Sequence, residues 1–306
     1  MKRRTFLTAA AMLAATCLLP SGAAQAKGFQ SDRISVVTRG EGPDVVLIPG
    51  LGSTRDVWEG TVAAVPGYRY HLVQVNGFAG HPIGGNGGTG PIVPVLAEEI
   101  ARYIKQAKVR PAVIGHSMGG TLAMMIAARH PEAASKVMVV DMLPSLGMMF
   151  APGADAAGVA AAAAKVRDGL AAASPADRRK HVEGTIATMV KAEAQRAKPI
   201  ADSLASDQAM GARAMHDLIV TDLRPELANI KVPATVLFVR GPNIPMTDAQ
   251  MEAVYKMSFA NLPQAKLKRI PEAWHFIMLD QPEAFAAEVK AFLAEDLPSR
   301  REGPDP

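Results

Sequence analysis

Gly115-His116-Ser117-Met118-Gly119-Gly120 follows a short apolar run, 112–114, and precedes a stretch of helical character, 121–129. A strand that turns into a helix this sharply forces the serine between them into a strained backbone. The residues two before and two after it must then be small, and Gly115 and Gly119 satisfy that demand. The strain lifts the Ser117 hydroxyl clear of the sheet. The positive end of the following helix lies beside any negative charge that develops there.

Outward from this turn the chain alternates. Short β-branched or apolar runs at 34–38, 45–48, 71–75, 137–140, 234–239 and 267–270 read as strands. Between and after them, 95–106 carries Leu96, Ile100, Tyr103 and Ile104 on one helical face, and 282–293 carries Phe285, Val289 and Phe292 inward. This rhythm implies an α/β fold with a mostly parallel sheet covered by helices on both faces. It lapses over residues 143–229, where 159–173, 175–197 and 201–221 read as helices rich in Ala and Met. The expected organisation is one sheet domain, 27–142 and 230–296, with a helical insertion, 143–229, and a polar tail, 297–306. An insertion at the C-terminal edge of a parallel sheet lies over the usual ligand crevice, so a cap or lid is favoured over mere extra packing.

Composition narrows the function. Of a formal net charge of +4, Lys2, Arg3 and Arg4 supply three, and residues 1–26 hold no acid. The remainder is nearly neutral, which gives no electrostatic case for nucleic acid or an anionic membrane. The basic start, the apolar stretch to Leu19, Pro20 and the small residues Ala24 and Ala26 form an export-signal layout. Arg3-Arg4 ahead of Phe6-Leu7 points to the twin-arginine route, with an ordinary secretory signal as the alternative, and to a periplasmic or secreted product. The one cysteine, Cys17, lies inside that leader, so the mature chain holds no disulfide or thiolate metal site. No His/Asp/Glu spacing suggests zinc, so no metal or cofactor is expected. Gly84-Gly85-Asn86-Gly87-Gly88 lacks the Lys-Ser/Thr ending of a phosphate loop and reads as a flexible loop beside the site.

A serine hydroxyl needs a base. His71, His130, His181 and His216 sit in plain strand or helix positions and read as structural or solvated. His116 would point away from the serine at so sharp a turn, so packing is its expected role, and His81 lies on a loop that could rim the pocket. His275, on a loop between the last strand and the last helix, is the candidate base.

Together these residues resemble the α/β-hydrolase superfamily over roughly residues 34–293. Pro49-Gly50-Leu51-Gly52 is similar to its oxyanion loop, and Trp58 falls where an early-helix Trp is common. Asn76-Gly77-Phe78-Ala79-Gly80-His81 resembles another family loop, with Gly77 in place of proline. Ala273-Trp274-His275-Phe276 with Leu279-Asp280-Gln281-Pro282 resembles the histidine segment. The resemblance implies Ser117 as nucleophile, His275 as base, and the backbone amides of Leu51 and Met118 as the oxyanion hole. Gly50, Gly52, Met142 and Trp274 are the expected substrate contacts.

The acid departs from the common pattern. The turn after strand 234–239 reads Gly241-Pro242-Asn243-Ile244-Pro245, without a carboxylate. Asp248 follows it, where capping or charging a helix start would also explain it. Asp141 ends the preceding strand, a position some haloalkane dehalogenases use for their acid. Asp141 is favoured and Asp248 is the alternative. The implied activity is acyl transfer to water, with a carboxylic ester of a hydrophobic small molecule as the default substrate. Lactonase, thioesterase, aminopeptidase, haloperoxidase or carbon–carbon hydrolase chemistry, or a binding module of the same fold, are the alternatives. The oligomeric state has no sequence signature.

Overall fold

Eight strands form one sheet: β1 (Ala24–Gln25), β2 (Ile34–Arg39), β3 (Asp44–Ile48), β4 (Arg69–Val75), β5 (Ala112–His116), β6 (Lys136–Val140), β7 (Ala234–Phe238) and β8 (Lys266–Arg269). This computed structural model describes residues 24–25 and 28–295. The expected leader, apart from the backbone of Ala24–Gln25, and the tail lie outside them. The strand order is β1-β2-β4-β3-β5-β6-β7-β8. β2 runs antiparallel to both its neighbours, and every other pairing is parallel. β5, β6 and β7 are buried along their whole lengths, as strands covered on both faces must be.

Alternation along these strands builds two cores. Val46, Val113 and Val139 face α2 (Val93–Ala107) and α3 (Met118–Arg129), whereas Leu47, Ile114 and Met138 face α1 (Glu59–Ala64) and α11 (Pro282–Ala294). Trp58 is fully buried in the second core and stacks on Phe285 with ring centroids 6.2 Å apart. Phe285, Val289 and Phe292 of α11 point inward as their spacing predicts.

Between β6 and β7 come α4 (Gly147–Phe150), α5 (Ala156–Ala172), α6 (Pro175–Met189), α7 (Ala197–Ala205) and α8 (Gln208–Val220). Two helices differ from their sequence patterns. The one expected over 175–197 stops at Met189, because the Lys191 and Ala192 amides donate to the Asp280 carboxylate instead of continuing the helix. The one expected over 201–221 breaks at Ser206 and Asp207. There the Asp207 side chain caps α8 by accepting from the Met210 amide, and its own N–H donates to the Gly77 carbonyl. α9 (Asp248–Ser258) and α10 (Ile277–Asp280) complete the chain. α9 opens with a Thr247/Gln250 capping box.

The glycine-rich loop is pinned rather than loose. Asn86 is buried and donates to the Arg33 and Asn76 carbonyls, and Arg213 of α8 donates to the Asn86 carbonyl. Among the described residues no helix is long and apolar enough to cross a membrane. No three His, Cys, Asp or Glu side chains among them are grouped to hold a metal ion.

At the N-terminal edge of the sheet the buried His71 ring lies 2.5 Å from the Tyr103 hydroxyl through Nδ1 and 2.7 Å from Asp44 through Nε2. Burial, only partly offset by Asp44, holds His71 below the usual histidine range. Burial also opposes the Asp44 charge, but hydrogen bonds from Arg69 and His71 outweigh it and hold the carboxyl low. As pH falls, the unfolded chain protonates at both positions before the folded one does, so acid favours unfolding. The urea midpoint is expected to drop between pH 7 and pH 5 through His71 together with His81 and His116, which desolvation also holds low, and further below about pH 4 through Asp44. His71→Gln should make the first drop shallower. An equally steep drop in that variant would contradict this account.

Candidate active site

Each of these expected catalytic groups sits on a segment that follows a parallel strand: the Leu51 amide after β3, Ser117 after β5, Asp141 after β6 and His275 after β8. This is the edge where crossover connections leave a crevice. Ser117 has φ 54° and ψ −122°, the strained conformation its glycine neighbours predict. A Cβ on Gly115 would lie 1.9 Å from the Gly119 carbonyl oxygen, and one on Gly119 would lie 2.2 Å from that of Ile48. No residue with a side chain fits at either position.

His275 Nδ1 lies 2.6 Å from Asp141 Oδ2. The other carboxylate oxygen, Oδ1, accepts from the Val239 amide at 3.0 Å and from the Tyr255 hydroxyl at 3.3 Å. Burial, and then the neighbouring Asp141 charge, holds the Tyr255 hydroxyl well above its usual range, so it remains a donor. Asp141 itself has φ 50°, and its amide donates to the Leu237 carbonyl. Asp248 is elsewhere: it is half-buried in the first turn of α9 and paired with Arg240 and Arg269. The hydrogen bond from Arg240 holds its carboxyl below the usual range. The carboxylate that meets His275 is therefore the one that directly follows β6.

Ser117, Asp141 and His275 line a cavity of about 980 Å³ between the sheet edge and α4–α8. Gly50, Leu51, Gly52 and Met142 line it too. A Cβ on Gly50 would come within 3.1 Å of the Ser117 Cβ, so the 49–52 loop presses directly on the serine. Neither the Leu51 nor the Met118 amide donates to another described residue, which leaves both able to receive an oxyanion. Trp274 does not line the cavity; its amide donates to Asp280 and so braces the loop that carries His275. His81 is exposed away from the cavity and none of Gly84–Gly87 reaches it, whereas His181, expected to be structural or solvated, lines its wall.

The cavity is lined by both apolar and polar side chains. Six methionines contribute, namely Met142, Met149, Met189, Met215, Met246 and Met251, and Leu143, Leu146, Phe150 and Ile244 join them. Polar lining residues come from α6 and from the end of α7, among them Arg178, Thr185, Ser203 and Ser206. Ser206 has no conspicuous sequence signal, yet it knits cap to core. Its hydroxyl accepts from the Ala79 amide at 2.8 Å and lies 3.3 Å from the Gly52 carbonyl, and Arg178 donates to its carbonyl. Asp280 plays a similar part, gathering the Lys191, Ala192 and Trp274 amides; the resemblance around His275 had already pointed to its segment.

Comparison with known proteins places this site in context. A pimeloyl-[acyl-carrier protein] methyl ester esterase of Aeromonas hydrophila subsp. hydrophila is 37% identical over 112 residues. That match covers 36% of this chain and 42% of the relative, so the chain spans under half the length of that esterase. The esterase of the same description from Edwardsiella ictaluri is 28% identical over 258 residues, 81% of this chain and 92% of its own. The crystal structure of a hydrolase from Pseudomonas aeruginosa PA01 superposes with a TM-score of 0.70 at 21% identity, covering 89% of this chain and 98% of that one, a likeness of fold. The model of the alpha/beta hydrolase family matches residues 45–288, and the chain belongs to that family.

Proposed function

We propose that the protein is a serine hydrolase that cleaves carboxylic esters of hydrophobic small molecules through an acyl-enzyme on Ser117. The observation that carries this reading is the 2.6 Å contact between His275 and Asp141 on the wall of the cavity that the strained Ser117 also lines. In the proposed cycle His275 Nε2 takes the Ser117 proton as Oγ attacks the ester carbonyl carbon. The carbonyl oxygen becomes an oxyanion and accepts from the Leu51 and Met118 amides. Asp141, receiving the Nδ1–H, stabilises the imidazolium. Collapse of the tetrahedral species breaks the bond to the alcohol oxygen, which leaves with the proton from His275. A water deprotonated by the same imidazole then attacks the acyl-enzyme and releases the acid, restoring Ser117.

The methionine-rich wall supports an apolar acyl or alkyl group of medium length, since unbranched thioethers adapt to varied shapes. The basic and apolar stretches of residues 1–26 support export, with the reaction taking place outside the cytoplasm.

Purified protein is expected to hydrolyse p-nitrophenyl butyrate, and Ser117→Ala to lose activity by on the order of 10⁶-fold in kcat. Equal rates in the two would end this reading. Asp141→Asn should cost on the order of 10⁴-fold, whereas Asp248→Asn should stay near the parent rate; the reverse ranking would move the acid to α9. Across p-nitrophenyl esters, kcat/KM should climb roughly fourfold per methylene from acetate to butyrate, the equivalent of burying about 0.8 kcal/mol per CH₂. A flat or falling series would argue against an apolar acyl or alkyl pocket.

A further inference from the structure

His116 is the last residue of β5, directly before Ser117, and its imidazole is fully buried. Its Nε2 lies 3.0 Å from the backbone carbonyl oxygen of His275. A carbonyl oxygen only accepts, so Nε2 carries the proton and Nδ1 is the bare nitrogen. That Nδ1 is buried and has no partner among the described residues. It faces the 49–52 loop, where a Cβ on Gly50 would come within 3.1 Å of it. The ring sits 4.6 Å from that of His275 and 4.8 Å from that of Phe276, centroid to centroid. One side chain therefore touches the candidate base and the candidate oxyanion loop while being covalently next to the candidate nucleophile.

The segment carrying His275 has no regular structure of its own between β8 and α10. The Trp274 amide donates to Asp280 and the Phe276 amide to the Met189 carbonyl. The peptide carbonyl of His275 itself is held by His116. We propose that His116 is a positioning residue, whose Nε2–H holds the His275 peptide so that the imidazole stays aligned between Asp141 and Ser117. This inference rests on the reading of Ser117 and His275 given above.

Its charge state fits the task. A second cation 4.6 Å from His275 would oppose formation of the imidazolium that the reaction requires. Burial, and then the proximity of His275, hold His116 well below the usual histidine range, with its bond to the His275 carbonyl only partly offsetting them. The ring stays neutral while its neighbour gains and loses a proton. Filling the same space with a side chain of similar size but no donor would leave the His275 carbonyl without its partner and the base free to drift. A displacement of about 1 Å can cost on the order of 100-fold in rate.

The test compares His116→Met, which removes the donor, with His116→Gln, which keeps an N–H near the position of Nε2. With p-nitrophenyl butyrate, His116→Met should lower kcat by 10- to 100-fold with KM within about twofold, and His116→Gln should recover most of the loss. Equal losses in the two variants, or a parental kcat in His116→Met, would reduce His116 to packing and overturn the proposal. Nitrogen-15 NMR of histidine-labelled parent protein gives a readout that does not depend on any variant folding. His116 should hold the Nε2–H tautomer near neutral pH, and an Nδ1–H ring there would refute it. Failure of the parent to hydrolyse the ester at all would count against the serine-hydrolase reading instead, and the tautomer would still be measured.

Discussion

Two backbone segments approach each other at the end of β5 with nothing between them. The missing side chains of Gly115 and Gly119 let the start of α3 close onto β5 and onto the Ile48 carbonyl. That contact leaves Ser117 the strained φ it shows, and it sets how far the serine stands from the 49–52 loop. Strain of this kind costs on the order of 1–3 kcal/mol and persists only because its surroundings determine it fully. Here those surroundings are β3, β5 and β6, buried but for Asp44, with the Ser117 amide donating to the Val140 carbonyl at the end of β6. The same strand then delivers Asp141.

The helical insertion is sewn to the sheet domain at several polar seams. Ser206 joins α7 to the turns at Gly52 and Ala79. The Asp217 carboxylate of α8 accepts from the Ile92 and Val93 amides and so caps α2, which has no capping side chain of its own. Asp280 ties the end of α6 to the His275 segment. Opening the cap at any of these seams exposes backbone groups that now pair with buried or half-buried side chains. The roof over the cavity is therefore hydrogen-bonded to the segments that carry Gly52 and His275.

Much of this was legible in the sequence because it is written in local signals. Short β-branched or apolar runs located the main strands, and the Gly-x-Ser-x-Gly spacing located the elbow, since sterics at a strand–helix turn leave few alternatives. The sequence favoured Asp141 and kept Asp248 as the alternative, because each follows a strand within a plausible distance; the 2.6 Å contact shows which carboxylate reaches His275. The break at Ser206 was hidden because residues 201–221 carry no proline, and the interruption comes from partners, Gly52, Gly77 and Ala79, that lie more than a hundred residues away in sequence. Helix propensity is a weak prior against such tertiary contacts. The glycine run misled in the other direction: composition suggested looseness, while one buried amide, Asn86, fixes it. Trp274 looked like a substrate contact from its adjacency to His275, yet side chains neighbouring in a loop need not face the same space.

The carboxylate facing His275 comes from β6, and the turn after β7 carries none. That turn still reaches the cavity, through Gly241, Pro242, Asn243, Ile244 and Met246. It carries no carboxylate for the imidazole, so its side chains are free to change polarity, while Val239 before it and Tyr255 after it keep hold of Asp141. It is the natural place for descendants of this scaffold to diverge in what they admit, and the place where directed evolution of selectivity would meet the least resistance.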